Sequence, residues 1–104
     1  MSKSSSNTGV IDKSDTRQDM KRPSLYKVVF INDDYTPMEF VVMALMAEFM
    51  YPQSVAQAIM MDVHQKGKGI AGVYTREIAE TKMAKTVAAA RQAEYPLELV
   101  LEPE

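Results

Sequence analysis

The residues best equipped for chemistry form a short polar cluster, Asn32-Asp33-Asp34. It follows an apolar run and precedes a proline-led helical pattern, so it lies where a strand gives way to a helix. Asn and Asp bond their own backbone and tolerate left-handed geometry, which is compatible with a simple turn. Their oxygens also offer acceptors to a cationic group at the mouth of a pocket. Two carboxylates without further ligands are a weak signal for a divalent ion.

The single histidine of the chain, His64, is a second candidate. It stands late in a predicted helix, where histidines commonly cap the helix or lie at the surface. A neutral ring nitrogen could instead accept a hydrogen bond from a ligand. A hydrolytic role is poorly supported, because the chain has no cysteine and no serine in an elbow motif for His64 to activate.

Methionine is frequent, with nine among 104 residues. Six of them fall in one predicted two-helix segment: Met38, Met43, Met46, Met50, Met60 and Met61. A helical methionine stripe is compatible with core filling, but flexible thioethers also suit a pocket that accepts apolar side chains of several shapes. Gly67-Lys68-Gly69 lacks the Walker pattern and is interpreted as a turn.

Composition narrows the class of protein. Apolar residues make up 46% and charged residues 25%, which is ordinary for one globular domain of this length. The lack of cysteine excludes disulfides and thiolate metal sites, and a lone histidine excludes a multi-histidine cage. A net charge of −2 argues against nucleic-acid binding. No apolar run approaches the ~20 residues that span a bilayer, and no signal-peptide pattern is present. We therefore expect a cytoplasmic domain with no cofactor, no metal and no membrane partner.

The first 24 residues differ in composition from the rest. They contain few large apolar side chains and carry five basic and three acidic residues, against seven and eleven in residues 25–104. Such a segment cannot bury enough apolar surface to offset the entropy lost on ordering. The sequence thus predicts a flexible N-terminal extension, 1–24, followed by a folded domain, 25–104.

Alternating turn signals and apolar patterns predict the elements of this domain. Residues 25–31 predict a strand, and a helix should run from Pro37 to about Met50, opened by a capping box of Thr36 and Glu39. After Pro52, a second capping box of Ser54 and Gln57 opens a helix that Gly67 ends.

The second half of the domain repeats the alternation. A short strand is expected over residues 69–74 with Ile70 and Val73 as its anchors, and Thr75 caps an alanine-rich helix that stops before Pro96. Residues 97–102 predict a last strand. The order β-α-α-β-α-β indicates a small α+β sandwich, a three-stranded antiparallel sheet packed against three helices.

Several ordered motifs cover roughly residues 24 to 104: Tyr26-Lys27-Val28-Val29, the run from Asn32 to Val41, the run from Met60 to Gly67, Gly72-Val73-Tyr74-Thr75, the run from Ile78 to Lys82, and Tyr95-Pro96-Leu97. In sequence and in separation, these motifs closely resemble those of the ClpS adaptor family. The resemblance implies a monomeric adaptor, not an enzyme. Such an adaptor binds polypeptides that begin with Leu, Phe, Tyr or Trp (N-degrons) and delivers them to a Clp AAA+ unfoldase, typically ClpA, which feeds the ClpP peptidase.

The resemblance also assigns roles to residues. The amine-binding residues are Asn32, Asp33 and His64. The side-chain pocket is formed by Asp34, Thr36, Pro37, Met38, Val41, Met60, Val63 and Leu97. The unfoldase-facing surface carries Glu77 and Lys82, and the unfoldase engages the N-terminal extension.

Two other classes of function stand beside this one. A small βααβαβ domain could dock on another chaperone or on a ribosomal partner. An enzyme is remote, because the chain offers almost no nucleophile, no metal cage and no phosphate loop.

Overall fold

Three strands and three helices make up residues 24–104, the part of the chain that the computed structural model describes. In chain order they are β1 (Leu25–Ile31), α1 (Met38–Phe49), α2 (Gln53–Lys66), β2 (Lys68–Thr75), α3 (Arg76–Gln92) and β3 (Glu98–Pro103). The predicted order and fold class are confirmed. The predicted flexible extension, 1–24, lies outside the described residues apart from Ser24.

The strand β1 lies at the centre of the sheet, between β2 and β3, and pairs antiparallel with both. Its three consecutive residues Val28, Val29 and Phe30 are at most 1% exposed. Val28 and Phe30 belong to the core on one face of the sheet. Val29 lies on the opposite face between its partners Ile70 and Val100, so the central position of β1 accounts for the burial of all three residues. The end of β1, at Ile31, leads directly into the polar cluster.

An irregularity in β2 changes which of its residues are buried. Val28 pairs with Gly72 but Val29 pairs with Ile70, so Ala71 is an extra residue in the strand, a β-bulge. Ala71 is fully buried, whereas Ile70 and Val73 are 49% and 39% exposed. The prediction that Ile70 and Val73 anchor this strand is therefore wrong, because the register places both on the face of the sheet opposite the core.

The helices cover the other face of the sheet and enclose one apolar core. Phe30 from β1 contacts Phe49 from α1 edge to face, with ring centroids 5.7 Å apart. Phe40 near the start of α1 meets Tyr95 after α3 in the same way, at 5.1 Å. Such pairs add about 0.5–1.5 kcal/mol each beyond the burial of their area. They join both ends of α1 to the rest of the domain.

The beginnings of the helices differ from the predicted capping boxes. Pro37 and Pro52 occupy the N-cap positions of α1 and α2, so Thr36 precedes the cap and Ser54 follows it. Thr75 takes the N-cap position of α3, as predicted. None of these three N-cap residues in the described chain makes a side-chain capping bond. Both predicted boxes are wrong, because each proline starts its helix with an extended backbone of its own.

The helices α1 and α2 both end at a residue whose backbone has a left-handed conformation. Gly67 ends α2 with φ of 89°, a conformation that suits glycine, and its N–H donates to the Val63 carbonyl at 3.0 Å. Met50 ends α1 with φ of 63° and ψ of 26°. A methionine pays a steric cost there that glycine does not, because its Cβ crowds the following carbonyl.

We expect Met50→Gly to raise the free energy of unfolding by about 0.5–1 kcal/mol, since removing Cβ relieves the left-handed strain and outweighs the extra freedom of the unfolded chain. Urea denaturation monitored by circular dichroism measures this difference. Met50→Ala, which keeps Cβ, is the matched control and should bring no such gain. An unchanged or lower stability of the glycine variant would contradict the prediction.

Candidate functional site

A small pocket lies where the end of β1 meets α1, α2 and the segment before β3. Its lining consists of Ile31, Asn32, Asp33, Thr36, Met38, Val41, Met60, Val63, His64 and Leu97. The fold thus brings together the three candidate amine-binding residues and six of the eight candidate side-chain residues. Asp34 and Pro37 are adjacent in the chain to lining residues but do not line the cavity themselves.

A backbone hydrogen bond joins the two segments that carry the polar residues of the pocket. The Asn32 N–H donates to the carbonyl of Gly67 at 2.9 Å, which ties the residue after β1 to the end of α2. His64 stands in the last turn of α2, three residues before Gly67. Asn32 and His64 are both exposed, so their side chains are accessible from solvent.

Asp33 organises the loop between β1 and α1. Its Oδ1 accepts from the N–H groups of Tyr35 at 2.8 Å and Thr36 at 2.7 Å, and its Oδ2 accepts from the Thr36 hydroxyl at 2.8 Å. A carboxylate has about four acceptor positions, so these three bonds leave one on Oδ2 for a ligand. The Thr36 hydroxyl, expected to cap α1, is therefore engaged by Asp33.

The charge on Asp33 is favoured by this setting. Burial acts to raise the pKa of the Asp33 carboxyl, but the hydrogen bonds from Thr36 and Tyr35, with the nearby charge of Arg91, outweigh it. The pKa therefore lies below its ordinary value of 3.8. At neutral pH the pocket mouth carries a fixed negative charge.

We expect Asp33→Ala to lower the free energy of unfolding by about 0.5–2 kcal/mol, because two backbone N–H groups lose their acceptor. A lowered pKa means that the folded state favours the ionised carboxyl. The contribution is thus fully present above pH 3.8 and is lost as the pH falls through the folded-state pKa. Urea denaturation from pH 7 down to pH 3 tests both points. A stability difference from wild type that grows on acidification would contradict this account.

The apolar wall of the pocket is built from buried residues on three elements. Val41 in α1, Val63 in α2 and Leu97 before β3 are 6%, 2% and 1% exposed. Gly69 permits the close approach of β2 to α2, since a Cβ at that position would lie only 2.8 Å from Cγ2 of Val63. Only a glycine fits there without displacing Val63.

Two residues that contribute to the site were missed by the sequence reasoning. Ile31 lines the pocket as the last residue of β1. Arg91 in the last turn of α3 donates through Nη1 to the carbonyls of Tyr95 and Leu97, both at 2.9 Å, and so holds the segment that carries Leu97. In the sequence, Arg91 is recognisable as a basic residue near the end of a predicted helix. That position indicates only a favourable interaction with the helix dipole.

The pocket is narrow, and two methionines are among its lining residues. Its free volume is about 10 Å³, room for roughly one water molecule. Met38 on α1 is 46% exposed, and Met60 on α2 also lines the pocket. An aromatic side chain needs far more space, on the order of 150 Å³. Entry of such a group requires the methionine side chains to move, which their unbranched, flexible chains allow.

Glu77 and Lys82 lie together on a different surface, along α3. They line a groove of about 230 Å³ with Glu48, Ile78, Thr81 and Lys85. Lys82 Nζ donates to the carbonyl of Glu48 at 2.8 Å and lies 5.7 Å and 5.3 Å from the ring centroids of Phe49 and Tyr74. Lys82 therefore also stabilises the end of α1, whereas Glu77 is exposed.

The arrangement of the pocket suits a ligand with two chemical parts. Carboxylate, amide and imidazole acceptors can receive the donors of a cation, and the adjoining apolar wall can take a hydrophobic side chain. Within residues 24–104 no three acidic or histidine side chains come together as a metal site. No helix in that range is long and apolar enough to cross a membrane.

Comparison with known proteins identifies the family. Residues 21–100 match the family model described as ATP-dependent Clp protease adaptor protein ClpS. Adapter proteins ClpS of Burkholderia cenocepacia and Burkholderia vietnamiensis are 52% identical over 86 residues, which are 83% of this chain and 83% of theirs. The structure of Agrobacterium tumefaciens ClpS2 bound to L-phenylalaninamide is 42% identical and superposes with a TM-score of 0.78, covering 80% of this chain and 100% of that one. The chain therefore belongs to the ClpS family of ATP-dependent Clp protease adaptor proteins.

Proposed function

We propose that this Clp protease adaptor acts as a cytoplasmic monomer that binds polypeptides with a free N-terminal Leu, Phe, Tyr or Trp. The observation that carries the proposal is the pocket, in which acceptors of Asn32, Asp33 and His64 adjoin a buried apolar wall. The ligand of the Agrobacterium relative, L-phenylalaninamide, has a free amine next to an aromatic side chain and supports the same assignment.

The expected energetics suit a carrier. An α-amino group is largely protonated at pH 7 and needs acceptors for its donors. Each charge-assisted bond contributes roughly 1.5–3 kcal/mol, and burial of a Leu or Phe side chain adds about 1.5–3 kcal/mol. After the costs of association, the sum corresponds to low-micromolar or somewhat tighter binding. An adaptor with such affinity can hold its cargo and still release it.

Fluorescence anisotropy with short peptides that differ only in their first residue tests the proposal. Leu, Phe, Tyr and Trp peptides should bind, and Ile, Val and Ser peptides should bind at least about tenfold more weakly, because the pocket accepts unbranched Cβ atoms and apolar rings. Binding that does not depend on the first residue would overturn the proposal. It would favour docking on another partner.

We further propose that the adaptor delivers its cargo to a Clp AAA+ unfoldase of the ClpA type, which feeds ClpP. The surface of α3 with Glu77 and Lys82 is the contact. Since Glu77 is exposed and distant in sequence from the pocket residues, Glu77→Arg should abolish most delivery and leave peptide affinity unchanged. The measurement is degradation of an N-degron reporter by the unfoldase and peptidase.

The exposed Glu104→Arg is the matched charge-reversal control and should deliver normally. We propose that the N-terminal extension, residues 1–24, is also needed for delivery to the unfoldase. A chain that starts at Pro23 should therefore bind Phe peptides normally and fail to deliver them. Full delivery by the Glu77→Arg variant would exclude this surface of α3, and full delivery by the shortened chain would exclude a role for the extension.

A further inference from the structure

A second apolar depression lies between α1 and α2, next to the pocket. This methionine groove, about 490 Å³ in volume, is lined by polar residues as well as apolar ones. The apolar residues are Met38, Val42, Met43, Met46, Met60 and Met61, and the polar residues are Glu39, Gln53 and Gln57. Met43 is 58% exposed, and Met46 and Met61 are each 39% exposed. Flexible thioethers in an open groove can adapt to apolar side chains of many shapes. The exposed methionines therefore lie at the surface of the domain and do not fill its core.

The groove is continuous with the pocket of the proposed function. Met38 and Met60 line both cavities, so the groove adjoins the pocket at these two residues. A polypeptide whose amine is held at Asn32 and Asp33 and whose first side chain passes Met38 would therefore have its next residues beside the groove. The occupant argued from this continuity is the same polypeptide, further along its chain.

We infer that the methionine groove binds the residues that follow the first one in an N-degron polypeptide, and that it favours apolar side chains at the second to fourth positions. The inference rests on the proposed function of the pocket. From Met38 to Met46 the helix rises about 12 Å, at about 1.5 Å per residue. An extended chain covers that length with three to four residues, at about 3.3 Å each.

The test uses peptides that begin with Phe and have a free amine. The reference peptide continues with Ala only. In three further peptides, Leu replaces Ala at position two, three or four. For wild type, the best-placed Leu should tighten binding about three- to tenfold, as expected for burial of about half of a leucine side chain. The double variant Met43→Gln, Met46→Gln should lose this gain and bind the all-Ala peptide as wild type does. Gln retains the length and helix propensity of Met, and both positions are exposed, so the fold is preserved.

Met50→Asn is the matched control, since it removes an exposed methionine outside the groove from a position where Asn tolerates left-handed geometry. It should retain the leucine gain. An equal gain in the groove variant, or no gain in wild type, would overturn the inference while Phe-dependent binding stands. If even the all-Ala Phe peptide fails to bind wild type, the proposed function itself fails and the inference with it. Self-association of wild type in sedimentation, lost in the groove variant without any change in peptide binding, would assign the groove to a second copy and also overturn the inference.

Discussion

Acetylation of the amine of a Phe-starting peptide should weaken its binding to this protein at least about a hundredfold. The modified amine has no charge and retains one donor, so it gives up at least two charge-assisted bonds worth roughly 1.5–3 kcal/mol each. About 1.4 kcal/mol corresponds to each factor of ten in affinity. The acetylated peptide would also shield Asp33 from water without offering it a positive charge. This desolvation is unfavourable for a carboxylate whose surroundings keep it ionised.

Isothermal titration of free and acetylated peptides of the same sequence measures this difference. The matched protein variant is Asn32→Ala, which removes one acceptor from the rim and leaves the backbone bond of residue 32 to Gly67 in place. It should weaken the free peptide more than the acetylated one and so narrow the gap between them. Equal affinity of wild type for both peptides would show that the pocket does not recognise an amine.

Met38→Ala should admit Ile and Val as first residues, with a gain in affinity of about tenfold or more over wild type. Met38 borders a cavity of only about 10 Å³. We therefore expect its side chain to limit the room near the Cβ of an entering residue. Ile and Val carry a second heavy-atom branch at Cβ that cannot rotate away, whereas Leu and Phe branch farther out. Truncation to Ala removes the obstruction and also removes some contact with Phe.

Anisotropy with peptides that begin with Ile, Val, Leu and Phe tests this gate in both proteins. Met50→Ala is a suitable control, because Met50 is 78% exposed and lies outside the pocket. It should leave the preference unchanged. If Met38→Ala still rejects Ile and Val as strongly as wild type does, another residue of the wall acts as the gate.

The secondary structure was largely predictable, and the errors have local physical causes. The strands and helices were found because apolar periodicity and proline or glycine punctuation agree along the chain. The two predicted capping boxes were wrong because Pro37 and Pro52, and not Thr36 and Ser54, occupy the N-cap positions. The prediction that Ile70 and Val73 anchor β2 was wrong because a bulge at Ala71 changes which side chains face the core. A bulge depends on the pairing with the partner strand.

The candidate site was predictable as a set of residues but not as a geometry. Motifs singled out Asn32, Asp33 and His64, yet these residues line one pocket only in the folded chain, where a backbone hydrogen bond joins the residue after β1 to the end of α2. The participation of Arg91 depends on contacts with two carbonyls of the following loop. The stabilising contacts of Lys82 at the end of α1 likewise join residues 34 positions apart.

By itself, the sequence determined the element order, the exclusion of cysteine and multi-histidine chemistry, and the residues that resemble the ClpS motifs. These depend on residue type and short-range spacing, which are local properties of a chain. Tertiary structure alone decided that Met38 and Met60 line a pocket of only about 10 Å³, that Asp33 has one acceptor position left, and that exposed methionines of α1 and α2 border one groove. Those features arise from the packing of elements that are distant in sequence. The free space between two helices depends on how they pack and cannot be deduced from the sequence of either helix alone.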